Sequence, residues 1–329
     1  MSVEQAVQQL LCQCIEQRVH DLFIVKRDAY FQLFTKNITK LVHLPNLSLA
    51  TGQAWLNYLK YRGQMNLSEK RRPQLGSLVF QNHDMKIYLR LSAVGDAYNR
   101  ESLVVRFIYP LPAKLRTLCP KQLQQLRQAI TQGGMCVLSG PIGAGKTTTL
   151  YYLAQQLLVN KTVLTIEDPV EIINNDFIQL QVNDPAKMTY NELLKVSLRH
   201  HPDVLIIGEI RDEQTAHAAL RAALTGGTVL TTVHARCAWG VVQRLLDFNV
   251  EPLTLQNCLR VISYQQLLPT LTDECGVLFD IIENPLILKQ SQNYANNWLA
   301  LLRQAYEDGQ ITEETYQTAS SSCPTSIFF

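Results

Sequence analysis

The sequence predicts two domains: a small α+β domain, followed by a larger α/β domain whose sheet is largely parallel. After about residue 120, short runs of consecutive aliphatic residues alternate with helical segments, a pattern typical of strands buried on both faces. Before residue 110, short alternating segments are mixed with a few helical ones. The chain has 329 residues, of which 47% are hydrophobic and 18% charged, which excludes a disordered protein and suits about two domains.

The first domain is predicted to start with an amphipathic helix over residues 1–18, where apolar residues recur at near-helical spacing. A second helical stretch covers residues 53–62. Strands are predicted at 22–25, 30–34, 78–80, 86–92 and 102–109. The run Tyr109-Pro110-Leu111-Pro112 predicts a linker, because proline restricts its own backbone and that of its predecessor. We therefore expect one domain over 1–110 and another over 111–329.

The second domain is expected to contain four buried strands, at residues 135–139, 162–166, 204–207 and 228–233. The segments between them have helical patterns, as a parallel sheet requires. From about residue 237 onward we expect a mostly helical C-terminal region.

Charge and cysteine usage narrow the function classes. Lys plus Arg is 30 and Asp plus Glu is 28, so the formal charge of +2 gives no reason to expect a direct nucleic-acid partner. The eight cysteines form no C-x-x-C pair, and we expect reduced thiols of a cytoplasmic protein. A signal peptide is not evident, and the apolar runs are far too short to span a bilayer. Any role at a membrane is therefore expected to act through a partner.

The strongest motif is Gly140-Pro141-Ile142-Gly143-Ala144-Gly145-Lys146-Thr147, which fits G-x-x-x-x-G-K-[ST] between a predicted strand and a predicted helix. Glycines let backbone N–H groups approach phosphate oxygens, and the helix N-terminus adds positive charge. We expect Lys146 to reach the β- and γ-phosphates of ATP and the Thr147 hydroxyl to ligate Mg²⁺. Thr148 completes the predicted nucleotide-binding set.

Carboxylates follow two of the other predicted strands, at the edge where ligands bind in such sheets. Glu209 follows 204–207, and we expect it to orient or deprotonate the attacking water and to hold Mg²⁺ through water. The cluster Glu167–Glu171 follows 162–166, and Glu167 is the second predicted catalytic carboxylate. His234 follows 228–233, where a neutral imidazole could sense the γ-phosphate. We expect these strands to be adjacent to the strand that leads into the glycine loop.

Taken together, the four motifs resemble those of the secretion ATPases of the type II secretion and type IV pilus superfamily. In that family they are the Walker A motif, the aspartate box, the Walker B motif and the histidine box; here they lie at 140–147, 165–171, 203–212 and 230–234. The first domain matches more loosely, at 19–23, 71–76, 90–92 and 104–106. The resemblance covers roughly residues 15 to 285.

The resemblance implies a RecA-like P-loop NTPase domain in a homo-hexameric ring, with ATP held between the two domains. It implies that Arg90 and Arg106 approach the γ-phosphate, with Arg211 and Arg199 as weaker candidates, because a guanidinium fits phosphate oxygens. It also implies a place at the inner face of the cell membrane and a polytopic membrane platform protein as partner. That platform would in turn add pilin-like subunits.

Departures from the family pattern refine the expectation. Only Cys275 lies near the place of the four-cysteine zinc motif of Gram-negative assembly members, so we predict no zinc. Gln266 stands where the family usually has arginine. A short chain without zinc looks most like the ATPase of the competence pseudopilus in Gram-positive DNA uptake. A pilus retraction ATPase, a nucleic-acid motor and a non-catalytic, nucleotide-gated scaffold remain alternatives.

Overall fold

The structure is a computed structural model that describes residues 2–37, 40–82, 85–157, 160–183, 186–272, 274–284 and 295–321. The chain divides into two compact units, Met1–Pro110 and Leu111–Phe329. Cys323, one of the eight predicted thiols, lies outside the described residues. The other seven cysteines are free thiols.

The first unit contains one antiparallel sheet of six strands in the order β3-β2-β1-β6-β5-β4. Its helices are α1 (Val3–Glu16) and α2 (Leu49–Arg62). Its strands are β1 (Asp21–Lys26), β2 (Phe31–Lys36), β3 (Leu41–Leu47), β4 (Gln74–Asn82), β5 (Met85–Gly95) and β6 (Glu101–Ile108).

Alternation along these strands decides which side chains are buried. Leu22 and Ile24 of β1 and Leu103 of β6 join Leu11 of α1 and Leu56 of α2 in one apolar cluster. Residues at the alternate positions face the other side of the sheet. The two arginines predicted to contact phosphate, on β5 and β6, lie at such positions.

The second unit has a mixed sheet of seven strands in the order β13-β12-β7-β11-β10-β8-β9. All neighbours are parallel except β12 and β13. The strands are β7 (Gly134–Ser139), β8 (Val163–Glu167), β9 (Ile178–Gln181), β10 (Val204–Ile207), β11 (Thr228–Thr232), β12 (Leu259–Pro269) and β13 (Cys275–Glu283). The helices are α3 (Pro120–Thr131), α4 (Lys146–Leu157), α5 (Tyr190–Arg199), α6 (Glu213–Leu224), α7 (Ala238–Asp247), α8 (Pro252–Cys258), α9 (Ala295–Glu307) and α10 (Glu313–Ser321).

Apolar clusters cover both faces of this sheet. Residues of α3 and α4 pack with Val163 and Val204 on one face, and residues of α5, α6 and α7 pack with Leu164 and Leu205 on the other. Burial on both faces is the reason that these strands are continuous aliphatic runs. The α/β class with a largely parallel sheet is confirmed.

The expectation of a mostly helical region after about residue 237 missed two strands: β12 and β13 lie there beside the helices α7 to α10. The physical reason is that these strands carry buried polar residues, which break the aliphatic pattern. Ser263, Gln265 and Asp280 are all fully buried. Gln265 donates to the carbonyl oxygen of Ala144, 121 residues away, and Asp280 accepts from Asn297, so local sequence gives no sign that these two polar residues are internal.

Candidate active site

The glycine loop Gly140–Thr147 connects the end of β7 to the start of α4 and has the backbone that the motif predicts. Gly143 and Gly145 have φ angles of +80° and +77°, in the left-handed region that favours glycine. A Cβ added at Gly143 would meet nothing within 4 Å, so the loop is open at this point. Such a loop can present backbone N–H groups to an anion.

Lys146 is the first residue of α4 and folds back over the loop. Its Nζ donates hydrogen bonds to the carbonyl oxygens of Gly140 and Pro141, both at 2.9 Å. Burial lowers the pKa of Lys146, while the charges of Glu209 and Glu171 raise it. Thr147 and Thr148 follow in the first turn of α4 and are half-buried. The residues present therefore fit a bound phosphate group and a hydroxyl ligand for Mg²⁺.

Glu209 follows β10 and lies between two cationic or potentially cationic groups. Its Oε1 is 3.1 Å from His234 Nε2, and its Oε2 accepts a 2.8 Å hydrogen bond from Arg211 Nε. Arg211 Nη1 also lies 3.8 Å from Asp168 Oδ2, which follows β8. Residues that follow three different strands thus meet at the carboxyl edge of one sheet, as predicted.

The strand order differs from the predicted adjacency: of the three strands expected beside β7, only β11 is adjacent, while β10 is two strands away and β8 three. The strand β11, which leads to His234, lies between β7 and β10, so Glu209 is two strands away from the loop rather than one. Thr232 Oγ1 donates to the carbonyl oxygen of Gly208 at 2.7 Å and ties the ends of β10 and β11 together. His234 is therefore the strand-end residue nearest to the loop strand in the order of the sheet.

Glu167 has a different environment from the one predicted for a catalytic carboxylate. It is 3% exposed, and its Oε1 accepts hydrogen bonds from the Tyr151 hydroxyl and, at 2.8 Å, from Thr165 Oγ1. Glu167 has the parity of Val163 along β8, so its side chain lies on the sheet face that α4 covers. Burial raises the pKa of Glu167, against the hydrogen bonds it accepts. Its carboxylate is turned into the interior.

No sequence motif indicates Tyr151, Gln179 or Tyr190, which the structure brings to this site beside the predicted acidic cluster. Tyr151 links Glu167 to Gln179, whose Nε2 donates to the Tyr151 hydroxyl at 2.7 Å. Glu171 lies close enough to Lys146 for its charge to raise the pKa of that lysine. The Tyr190 hydroxyl donates to the carbonyl oxygen of Ile166 at 3.3 Å. Tyr151 and Tyr190 occupy positions in the sequence that look like ordinary core positions of a helix, so the sequence gives no sign of their role.

Arg90 and Arg106 belong to the first unit, where they are directly paired across β5 and β6. Arg106 forms a two-point ion pair with Asp21 of β1, with Nε to Oδ1 at 2.8 Å and Nη2 to Oδ2 at 3.1 Å. A fork of this kind holds a guanidinium in a fixed orientation. Asp21 is thus a partner of a predicted phosphate-contacting arginine that sequence reasoning did not assign.

Two further features of the described residues concern membranes and metals. Among the residues described, no helix combines the length and apolar character needed to cross a membrane. Within the same residues there is no group of three or more His, Cys, Asp and Glu side chains arranged to hold a metal ion. The absence of zinc stays a prediction.

Relatives with solved structures share this fold. The ATPase DotB of Legionella pneumophila matches with a TM-score of 0.76 and 21% identity, covering 95% of both chains. The pilus retraction motor PilT, bound to ADP, matches with a TM-score of 0.66 and 22% identity, covering 95% of this chain and 96% of that one. At these identities the likeness shows the fold alone.

Sequence relatives match more closely. Competence protein ComGA of Streptococcus pneumoniae is 36% identical over 322 residues, covering 97% of this chain and 99% of that protein. Competence protein ComGA of Bacillus subtilis is 36% identical over 273 residues, covering 81% and 76%. The family described as "Type II/IV secretion system protein" matches residues 1–323. The resemblance drawn from the four motifs is confirmed, and the chain belongs to the type II/IV secretion system protein family.

Proposed function

We propose that this chain is an ATPase that powers assembly of a competence pseudopilus, a type II secretion-type fibre that serves DNA uptake. One observation carries the proposal: a P-loop lysine, a strand-end glutamate and a histidine meet at one edge of a parallel sheet. The names of the sequence relatives support the biological setting, since both are competence proteins.

The loop Gly140–Thr147 binds the phosphates of ATP through its backbone N–H groups and the N-terminus of α4. Lys146 leaves the carbonyl oxygens of Gly140 and Pro141 and donates to the β- and γ-phosphates instead. Mg²⁺, when bound with ATP, neutralises phosphate charge, and Thr147 together with Glu209 through water would hold it.

Glu209 orients a water molecule for in-line attack on the γ-phosphorus and accepts a proton from it. The new bond is from the water oxygen to phosphorus, and the bond that breaks is from phosphorus to the oxygen retained by ADP. His234 and Arg211 hold the Glu209 carboxylate from two sides. Arg90, Arg106 and Arg211 stabilise charge on the transferred phosphoryl group. For Arg90 and Arg106, the support is the family resemblance.

Glu167 is assigned a supporting role instead of a direct one. Its carboxylate contacts Tyr151 of α4 and the backbone N–H of Glu171. It therefore joins the helix that follows the phosphate loop to the segment that carries Asp168 and Glu171. This position suits a residue that keeps the loop and the acidic segment in register.

Assembly with other proteins completes the proposal. The chain works as a homo-hexamer at the inner face of the cell membrane, against a polytopic platform protein that adds pilin-like subunits. The near-zero formal charge of +2 agrees with a protein partner in place of DNA.

The test is Lys146→Ala, with Lys195→Ala as the matched control. Lys195 lies on α5, is exposed and pairs with Glu192, so its loss leaves the phosphate loop intact. We expect Lys146→Ala to fold normally, to lose ATP turnover and to abolish pseudopilus assembly in cells, and Lys195→Ala to keep both. Turnover retained by Lys146→Ala would contradict the assignment. Excess pili in a deletion strain would point to retraction, and stimulation of turnover by DNA would point to a nucleic-acid motor.

A further inference from the structure

Gln265 of β12 lies directly beneath the phosphate loop, although 121 residues separate it from the loop residue it contacts. It is fully buried, and its Nε2 donates a 2.6 Å hydrogen bond to the carbonyl oxygen of Ala144. β12 pairs with β7 so that Tyr264 is level with Ser139, which places Gln265 one residue further on, below the start of the loop.

The backbone of Gln265 also meets the loop. A Cβ added at Gly140 would come within 2.2 Å of the Gln265 carbonyl oxygen, and Gly140 has a φ angle of +145°. Only glycine is compatible with such a close approach. β12 therefore contacts the loop at both ends, through its main chain at Gly140 and through the Gln265 side chain at Ala144.

The contact with Ala144 has a geometric consequence. In a trans peptide, the C=O of one residue and the N–H of the next lie in one plane and point in opposite directions. When Gln265 holds the Ala144 carbonyl from below, the N–H of Gly145 must point up, away from β12 and toward the open side of the loop. With glycine on both sides of Ala144, this peptide could otherwise rotate at little steric cost.

A packing role does not account for the amide. Gln265 Oε1 is buried and has no hydrogen-bond partner among the described residues. An unpaired buried oxygen is unfavourable, and an apolar side chain of the same length would fill the space without it. The amide is therefore at this position for the hydrogen bond that its nitrogen makes.

We propose that Gln265 is a positioning residue for phosphate binding: its side-chain amide fixes the Ala144–Gly145 peptide so that the N–H of Gly145 faces the phosphates. The inference rests on the proposed function, because it concerns the same nucleotide site. The chemistry it serves is a nucleoside di- or triphosphate, and its effect is on affinity more than on the chemical step.

The test is Gln265→Met, which keeps the length of the side chain and removes the amide. We expect the Kd for MgADP, measured by titration calorimetry, to rise about tenfold, as loss of one charge-assisted contact implies. The KM for ATP should rise by a similar factor while kcat changes less than about threefold, because Gly145 contacts phosphate before and during reaction. The melting temperature should change little, since one unpaired oxygen is removed as another, on Ala144, is created.

Gln122→Met is the matched control. Gln122 of α3 is a second buried glutamine; its Nε2 donates to the carbonyl oxygen of Phe279 and its Oε1 accepts from the Phe279 N–H. Because both amide atoms are satisfied by the backbone of Phe279 on β13, away from the phosphate loop, we expect this variant to lose stability and keep its affinity for MgADP. Gln265→Met should therefore change the affinity for MgADP and not the stability, and Gln122→Met should change the stability and not the affinity.

Three outcomes decide the matter. If the wild-type chain neither binds MgADP nor turns over ATP, the proposed function fails. If the wild type does both and folded Gln265→Met has unchanged affinity, the positioning role fails while the proposed function stands. If Gln265→Met does not fold, Gln265→Asn keeps an amide that is too short to reach Ala144. Should that variant also fail to fold, or keep full affinity, the positioning role is overturned.

Discussion

Two neighbouring strands of the second unit, β8 and β10, are each followed or ended by a glutamate, and the two glutamates have opposite environments. Glu167, the last residue of β8, is 3% exposed and accepts hydrogen bonds from neutral hydroxyl groups. The Glu209 side chain, beyond the end of β10, is 18% exposed and contacts an arginine and a histidine. One residue type, at the same edge of one sheet, is therefore held inside in one case and faces the crevice in the other.

The difference shows that the position of a glutamate relative to the end of its strand decides whether its carboxylate is buried or faces the crevice. Glu167 is still within its strand, so the alternation of the strand directs it toward α4. Glu209 lies two residues beyond Ile207, where the chain has left the sheet and the side chain can reach His234. A carboxylate that acts on water must lie beyond the strand end, as Glu209 does. Variants at three positions, Glu209, Glu167 and Tyr151, test this comparison.

The largest expected effect is that of Glu209→Gln. Glutamine keeps the size of the side chain but cannot accept a proton from water, so kcat should fall by about 10²–10⁴-fold. Affinity for MgADP should fall much less than kcat, because the phosphate loop is unchanged and the glutamine oxygen can still accept a hydrogen bond from a metal-bound water. Steady-state turnover and calorimetric titration check both values. A kcat within tenfold of the wild type would remove Glu209 from the catalytic role.

A smaller effect on turnover is expected for Glu167→Gln. The amide oxygen can still accept from Tyr151 and Thr165, so kcat should fall less than about tenfold. If kcat fell as far as in Glu209→Gln, the two glutamates would have equivalent roles and the comparison would be broken.

The same variant should alter the pH dependence of stability. Burial raises the pKa of Glu167 above its ordinary value of 4.5, so the folded chain holds a proton that the unfolded chain releases. The wild type therefore loses stability as pH rises from about 4.5 through the raised pKa. Glu167→Gln lacks this loss. The melting temperature of the variant minus that of the wild type should therefore increase from pH 5 to pH 8. A flat or falling difference would contradict the burial argument.

The smallest effect on turnover is expected for Tyr151→Phe, with kcat within about threefold of the wild type. Loss of the hydroxyl removes one donor from Glu167 and should lower stability by about 1–3 kcal/mol. The loss should grow with pH, because the charged carboxylate needs that donor most. Thermal unfolding over the same pH range measures it.

Tyr152→Phe is the control for this prediction. The Tyr152 hydroxyl accepts from Arg127 Nη2 at 2.7 Å and does not contact Glu167. This variant should leave the pH dependence unchanged. Equal pH slopes for the two tyrosine variants would show that Tyr151 does not act through Glu167.

Much of the fold and the site could be predicted from the sequence, because the relevant signals are local. Aliphatic runs such as Val204–Ile207 predict buried parallel strands wherever they occur. The loop from Gly140 to Thr147 predicts phosphate binding, since its glycines, lysine and hydroxyl act within eight consecutive positions. The contact between Glu209 and His234 agrees with the rule that strand ends of a parallel sheet share one edge.

Only the tertiary structure decided which polar side chains are internal and what they contact. The partner of Gln265 lies 121 residues away, and the pair that holds Arg106 spans 85. Buried polar residues also interrupt the apolar pattern of β12 and β13, so the two strands were not predicted. Hydrophobic periodicity carries no information about distant hydrogen-bond partners. The sequence by itself thus determined the phosphate loop, the order of the four motifs and the parallel strands. The inward turn of Glu167 and the support of the loop by Gln265 depend on which strands become neighbours, and only folding settles that.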